Sequence, residues 1–182
     1  MEKPKRDGIS RQAREQLLAN RHGKLTTSQW WELISEPLVV LLLLLIPGIL
    51  LFGYVLIDLL ADGLWALGII VVVALGVMLA LRARRYARMA VEFAILYGGK
   101  EFRPSWMFWK ARVLYDDTNK PVRFARTLTP LPALIPGKTY LVYYLNDGGR
   151  PVLLSIAPTD HPDADNWKPS VVFQERLSRR RQ

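Results

Sequence analysis

The chain has 182 residues, with 25 Lys and Arg against 16 Asp and Glu, and no cysteine. Lack of cysteine excludes a disulfide framework, a thiolate metal site and a cysteine nucleophile. The net charge of +9 favours anionic surroundings such as lipid headgroups or nucleic acid.

Residues 1–36 carry seven basic and five acidic side chains and read as an N-terminal cytoplasmic and interfacial segment. Residues 10–21 suggest a short helix with Ile9, Ala13, Leu17 and Gln16 on one side. That apolar stripe is narrow, so the segment is expected to be peripheral. Thr26, Thr27 and Ser28 are capping residue types before a second short helix through Trp30, Trp31 and Ile34.

Residues 38–57 are 20 consecutive residues without a charge, and residues 63–81 are 19 more. At about 1.5 Å per residue each run approaches the roughly 30 Å of a bilayer core. The expectation is a transmembrane helical hairpin with a helical extension, over 37–97. No signal peptide is read ahead of the first run, so it is expected to remain as an anchor. Arg82, Arg84, Arg85 and Arg88 follow the second run, while the turn at 58–63 has no basic residue. Basic flanks mark the cytoplasmic side, so both ends are expected there and the protein is read as integral to the membrane with two spans. Trp30, Trp31 and Trp65 are the expected interface aromatics. Glu36-Pro37 reads as a helix entry, and Pro47-Gly48 as a kink. Gly68, Gly76 and Ala80 lie near one face of the second helix and are the expected helix-packing residues. The four arginines form the expected contact with anionic lipid, at about 1 kcal/mol per residue near the surface.

The helix is expected to run on to about Tyr97, where Gly98-Gly99 reads as a stop. The grammar then changes to strands. Residues 107–115, 122–128, 139–145 and 151–157 are the candidate strands, separated by turn residues at 116–119 and 146–149. They predict a small cytoplasmic β domain over 98–168, an antiparallel barrel or sandwich, followed by a basic tail over 169–182. The fold class expected is therefore α+β: a membrane hairpin followed by a compact β unit. A two-span hairpin and β domain, with the stretch 134–144 (LIPGKTYLVYY) leading into the central strand, resembles bacterial NfeD-like membrane proteins. The resemblance implies a scaffold or accessory role and transfers no functional residue.

Catalytic patterns fail on inspection. Gly98-Gly99-Lys100 lacks the first glycine of a phosphate loop, since position 94 is Ala, and its Lys is followed by Glu101. There is no Gly-x-Ser-x-Gly and no zinc-protease helix motif, so neither an enzyme nor a cofactor is expected. His161 with Asp160, Asp163 and Asp165 offers oxygen and imidazole ligands, but the spacing is not that of a calcium loop. A solvated loop is preferred to a metal site. Lys110, Arg112, Arg123 and Arg126, near several aromatics, suggest a basic face. Lipid is preferred to nucleic acid as its ligand, because both present phosphate and the domain is expected close to a membrane. The first functional expectation is an accessory or scaffold subunit whose β domain binds a protein partner within a larger membrane complex. The second is a sensor of anionic lipid or nucleic acid acting through the basic face.

Overall fold

The computed structural model describes residues 9–59, 65–99, 112–129 and 134–181, apart from a minority of side chains, most of them in the second helix. The elements are α1 (Arg11–Asn20), α2 (Thr27–Leu59), α3 (Trp65–Arg88), β1 (Val91–Gly98), β2 (Arg112–Tyr115), β3 (Pro121–Phe124), β4 (Arg126–Thr127), β5 (Thr139–Asp147), β6 (Arg150–Pro158), α4 (Ala164–Trp167) and α5 (Val171–Arg181). They fall into two compact units. Unit 1 is 1–29 with 89–182, and unit 2 is Trp30–Arg88.

Unit 1 is built on one six-stranded sheet in the order β3-β2-β1-β5-β6-β4. β3 and β4 stand at opposite ends of that order, yet only Ala125 separates them in sequence. The Ala125 amide donates to Pro151 O at 3.1 Å, which ties the bend to the start of β6. The sheet therefore curls until its two edges are segments of one bent stretch of chain. β4 runs parallel to β6, whereas every other pair among the described residues is antiparallel. The expectation of a purely antiparallel domain is corrected at this seam. An odd circuit of five alternating strand passes can meet only through one parallel pair.

Inside the curl, Leu96, Leu114, Phe124, Tyr140, Val142, Leu153 and Ile156 form a buried cluster. Leu153 and Ile156 differ by an odd number, yet share a face. A register shift at Tyr143/Tyr144, opposite Ser155 and Leu153, inserts the extra residue that permits this. The outer face of β5 and β6 is buried too, under helices. Ala13 and Leu17 of α1 are buried, and α1 lies against β6. Gln16 Nε2 donates to Leu128 O at 3.0 Å and Asn20 Nδ2 to Ser155 Oγ at 2.8 Å. The expected peripheral helix is thus part of the fold. Its narrow apolar stripe suffices because two amides extend the contact with specific hydrogen bonds. The C-terminal segment, expected as a tail, forms α5. Phe173 stacks on Tyr143 at 6.5 Å, and Ser170 N donates to Arg21 O at 3.0 Å.

Residues 91–98 are a strand rather than the end of a helix. Val91 to Tyr97 pair residue for residue with Leu145 to Thr139. Gly98 is needed for a close approach and not as a helix stop: a Cβ there would run into the carbonyl oxygen of Ile135. Gly148 and Gly149, both at positive φ (59° and 83°), form the two-residue turn joining β5 to β6.

Unit 2 departs furthest from the sequence reading. Among the described residues no helix is long and apolar enough to cross a membrane. The expected transmembrane hairpin, the two-span integral membrane localisation with both ends cytoplasmic, and the fold class built on them are corrected accordingly. In α3 the uncharged helical stretch 65–81 spans about 25 Å at 1.5 Å per residue, short of the roughly 30 Å of a bilayer core. It then meets Arg82, Arg84 and Arg85. α2 begins with the polar side chains of Gln29, Glu32 and Glu36. Pro37 lies inside α2 rather than at its entry, as does Pro47. The true entry is a reciprocal cap: Gln29 N donates to Thr26 Oγ1 at 3.3 Å, and Thr26 N to Gln29 Oε1 at 3.0 Å.

Candidate binding groove

A groove of about 830 Å³ lies within unit 1 along the outer side of β1. Its floor comes from Phe93, Ile95 and Tyr97, which alternate along the strand and so share a face. Phe93 is fixed by Tyr143, its ladder partner, with ring centroids 5.1 Å apart. Ile95 and Tyr97 stay 50% and 40% exposed, although both are large and apolar. One wall is α5, through Gln174, Leu177 and Ser178, with Pro169 at its foot. The far end is closed by Asp116 and Asp117 in the turn after β2.

The carboxylate end is rigidly built. Asp116 Oδ1 accepts from Lys120 N at 2.7 Å and from Thr118 Oγ1 at 2.8 Å. Asn119 takes a left-handed conformation, φ 59°, to complete the turn. The Lys120 backbone bond, then the Thr118 hydroxyl, hold the Asp116 carboxyl below the usual aspartate range, so it stays ionised into acid. Behind the floor, Tyr143 donates to Trp167 O at 2.6 Å. Burial pushes its hydroxyl far above the ordinary tyrosine range, which keeps it a neutral donor.

The expected site residues are scattered. Lys110 lies outside the described residues. Arg112 and Arg123 are on β2 and β3, but Arg112 is paired with Phe124 and Arg123 with Val113, so they occupy register positions of opposite parity. Arg126 is in β4. Arg82 is engaged within unit 2: its Nε donates to Leu33 O at 2.8 Å, it pairs with Glu36, and it lies 5.6 Å from the Tyr86 ring centre. Arg84, Arg85 and Arg88 are exposed at the end of α3. Trp31 and Trp65 are exposed and Trp30 is half-buried. A Cβ added at Gly68 or Gly76 would meet open space among the described atoms, and Ala80 is exposed.

The acidic loop does not gather around a common centre. Asp160 pairs with Lys138 at 2.7 Å, Asp165 with Lys168 at 2.7 Å, and Asp163 lies 3.7 Å from Arg14. His161 Nδ1 accepts from Asp163 N at 3.1 Å while the ring rests on Trp167 at 4.5 Å. Among the described residues no group of three or more His, Asp or Glu could hold a metal.

The groove itself was missed in the sequence. Its floor lies in the stretch assigned to the end of a helix. The alternation of Phe93, Ile95 and Tyr97 was the available signal. Comparison with protein-family models, with curated proteins and with solved structures gives no match.

Proposed function

We propose that the chain is a non-enzymatic accessory or scaffold protein whose β domain binds a protein partner in this groove. The observation that carries the reading is the pair Ile95 and Tyr97. Two large apolar side chains stand exposed on the floor of a preformed groove, on a strand held rigidly by β5. Such sites, apolar with a few placed polar groups, are the common form of binding sites. The carboxylates at one end add orientation. The alternative, a sensor of anionic lipid or nucleic acid, asked for a continuous basic face. The opposite parity of Arg112 and Arg123 weakens it.

A photoreactive phenylalanine analogue at Tyr97, in the full chain expressed in its own cells, tests the reading. A control carries the same group at exposed Arg150, at the start of β6. The expected result is one heterologous protein adduct from position 97, absent from position 150 and lost when Ile95→Lys is added. Equal adduct patterns at both positions would sink the proposal.

A further inference from the structure

Among the described residues β1 is fully paired on one side only: toward β5 it is paired from Val91 to Tyr97, and toward β2 at Tyr97 and Gly98. β2 ends at Tyr115, and the chain turns away through 116–120 into β3. In an antiparallel ladder, successive residues send their backbone N–H and C=O to alternate sides. Gly98 N donates to Lys138 O at 2.8 Å, on the β5 side. By alternation Phe93 and Ile95 direct theirs the other way. There, among the described residues, no strand is paired with them. This open edge borders the groove, because the same two residues supply its floor.

Exposed edges are normally blunted by proline, bulges or repeated charge. Residues 91–96 hold no proline and one charge, Glu92, and their pairing with β5 has no register shift. Six residues of strand offer about 20 Å of edge at 3.3 Å per residue. The end near Asp116 and Asp117 is anionic, and the floor beside it is apolar.

We propose that β1 accepts an extended segment of a partner protein as an added strand. Its alternate apolar side chains would rest on Ile95 and Tyr97, and a lysine or arginine would lie beside Asp116 and Asp117. The proposal rests on the groove being the partner site. It adds the partner's form, an extended chain with a cationic end, and a mode of recognition in which backbone hydrogen bonds give affinity and side-chain pockets give selectivity.

Three synthetic peptides test it against the purified full chain. The first is an eight-residue alternation of valine and threonine preceded by two lysines. The second is the same peptide with alternate backbone nitrogens methylated. The third replaces the lysines by glutamates. Binding is measured by calorimetry, and amide hydrogen exchange is followed at Phe93 and Ile95. The first peptide is expected to bind and to slow exchange at both amides. Methylation should weaken binding about tenfold or more, since each lost hydrogen bond is worth about 0.5–1.5 kcal/mol. The glutamate ends should weaken it about two- to fivefold, as should Asp117→Asn with the first peptide, consistent with exposed charge pairs. Equal binding of the methylated and parent peptides, with binding still lost in Ile95→Lys, overturns strand addition and leaves the groove reading standing. Binding indifferent to both methylation and Ile95→Lys overturns both. Concentration-dependent protection of Phe93 and Ile95 without peptide assigns the edge to a second copy of the chain and overturns the proposal. Absence of any peptide binding also overturns it, while the crosslink from position 97 judges the groove independently.

Discussion

Units 1 and 2 are both rich in apolar side chains and use them in opposite ways. In unit 1 Leu114, Val142, Leu154 and Ile156 are sealed between the two walls of a curled sheet or under its helices. In unit 2 Leu50 and Val72 are 80% and 69% exposed, and many of their neighbours in α2 and α3 are exposed as well. Hydrophobicity along the chain therefore does not decide burial. A curled sheet offers each strand a facing wall. A helix that is apolar all round exposes part of its surface unless other elements cover it, and a large exposed apolar patch marks a surface that meets something else.

That contrast can be broken or sharpened by substitution. The largest effect is expected inside the curl. Phe124→Ala should destabilise unit 1 by about 3–5 kcal/mol in urea denaturation, from lost transfer energy plus a cavity. Val72→Ala in unit 2 should stay within about 0.5 kcal/mol, as at an exposed site. Comparable losses at the two positions would erase the distinction. Next come the buried amides of α1 and of the entry of α2. Asn20→Ala strands the buried Ser155 hydroxyl and should cost about 1–3 kcal/mol. Gln29→Ala removes half of the reciprocal cap and the bond from Gln29 Nε2 to Leu154 O, 2.8 Å, for about 1–2 kcal/mol. Either variant unfolding like wild type would return α1 or the entry of α2 to the periphery.

For unit 2 the informative measurement is association. Sedimentation in detergent-free buffer should show self-association that Ile69→Lys with Val72→Lys reduces, since both positions are exposed on α3. Smallest is the acid response of the surface pairs. The Lys138 hydrogen bond holds the Asp160 carboxyl below its usual range, and Asp160 in turn raises Lys138. The pair's contribution is complete between the two ordinary values. It is lost on the acid side as pH falls through the lowered aspartate, and on the alkaline side as pH rises through the raised lysine. A carboxyl titration followed by NMR should place Asp160 below free aspartate, and Lys138→Met should return it toward the ordinary value of about 3.9.

Local chemistry explains how much could be read in advance. The glycines at 148 and 149 supply the positive φ that their turn needs. The side chain of Asp116 closes its own turn, and Thr26 with Gln29 caps the helix that follows. Each of these is settled within a few residues, so each can be read from the order of amino acids. The strands at 112–115, 139–147 and 150–158 are legible for the same reason, through aromatic and β-branched residues bounded by turns.

Tertiary structure decided the rest, because the deciding partners are distant in sequence. Residues 91–97 are apolar enough to extend α3, and they become a strand because β5 offers a matching ladder. Gln16 and Asn20 look like surface amides until Leu128 and Ser155 meet them. The length of an apolar run suggests a membrane helix, whereas among the described residues no helix is long and apolar enough to be one. The groove joins 93–97, 116–117 and 169–178, three segments brought together only by the curl of the sheet and the return of α5 across it.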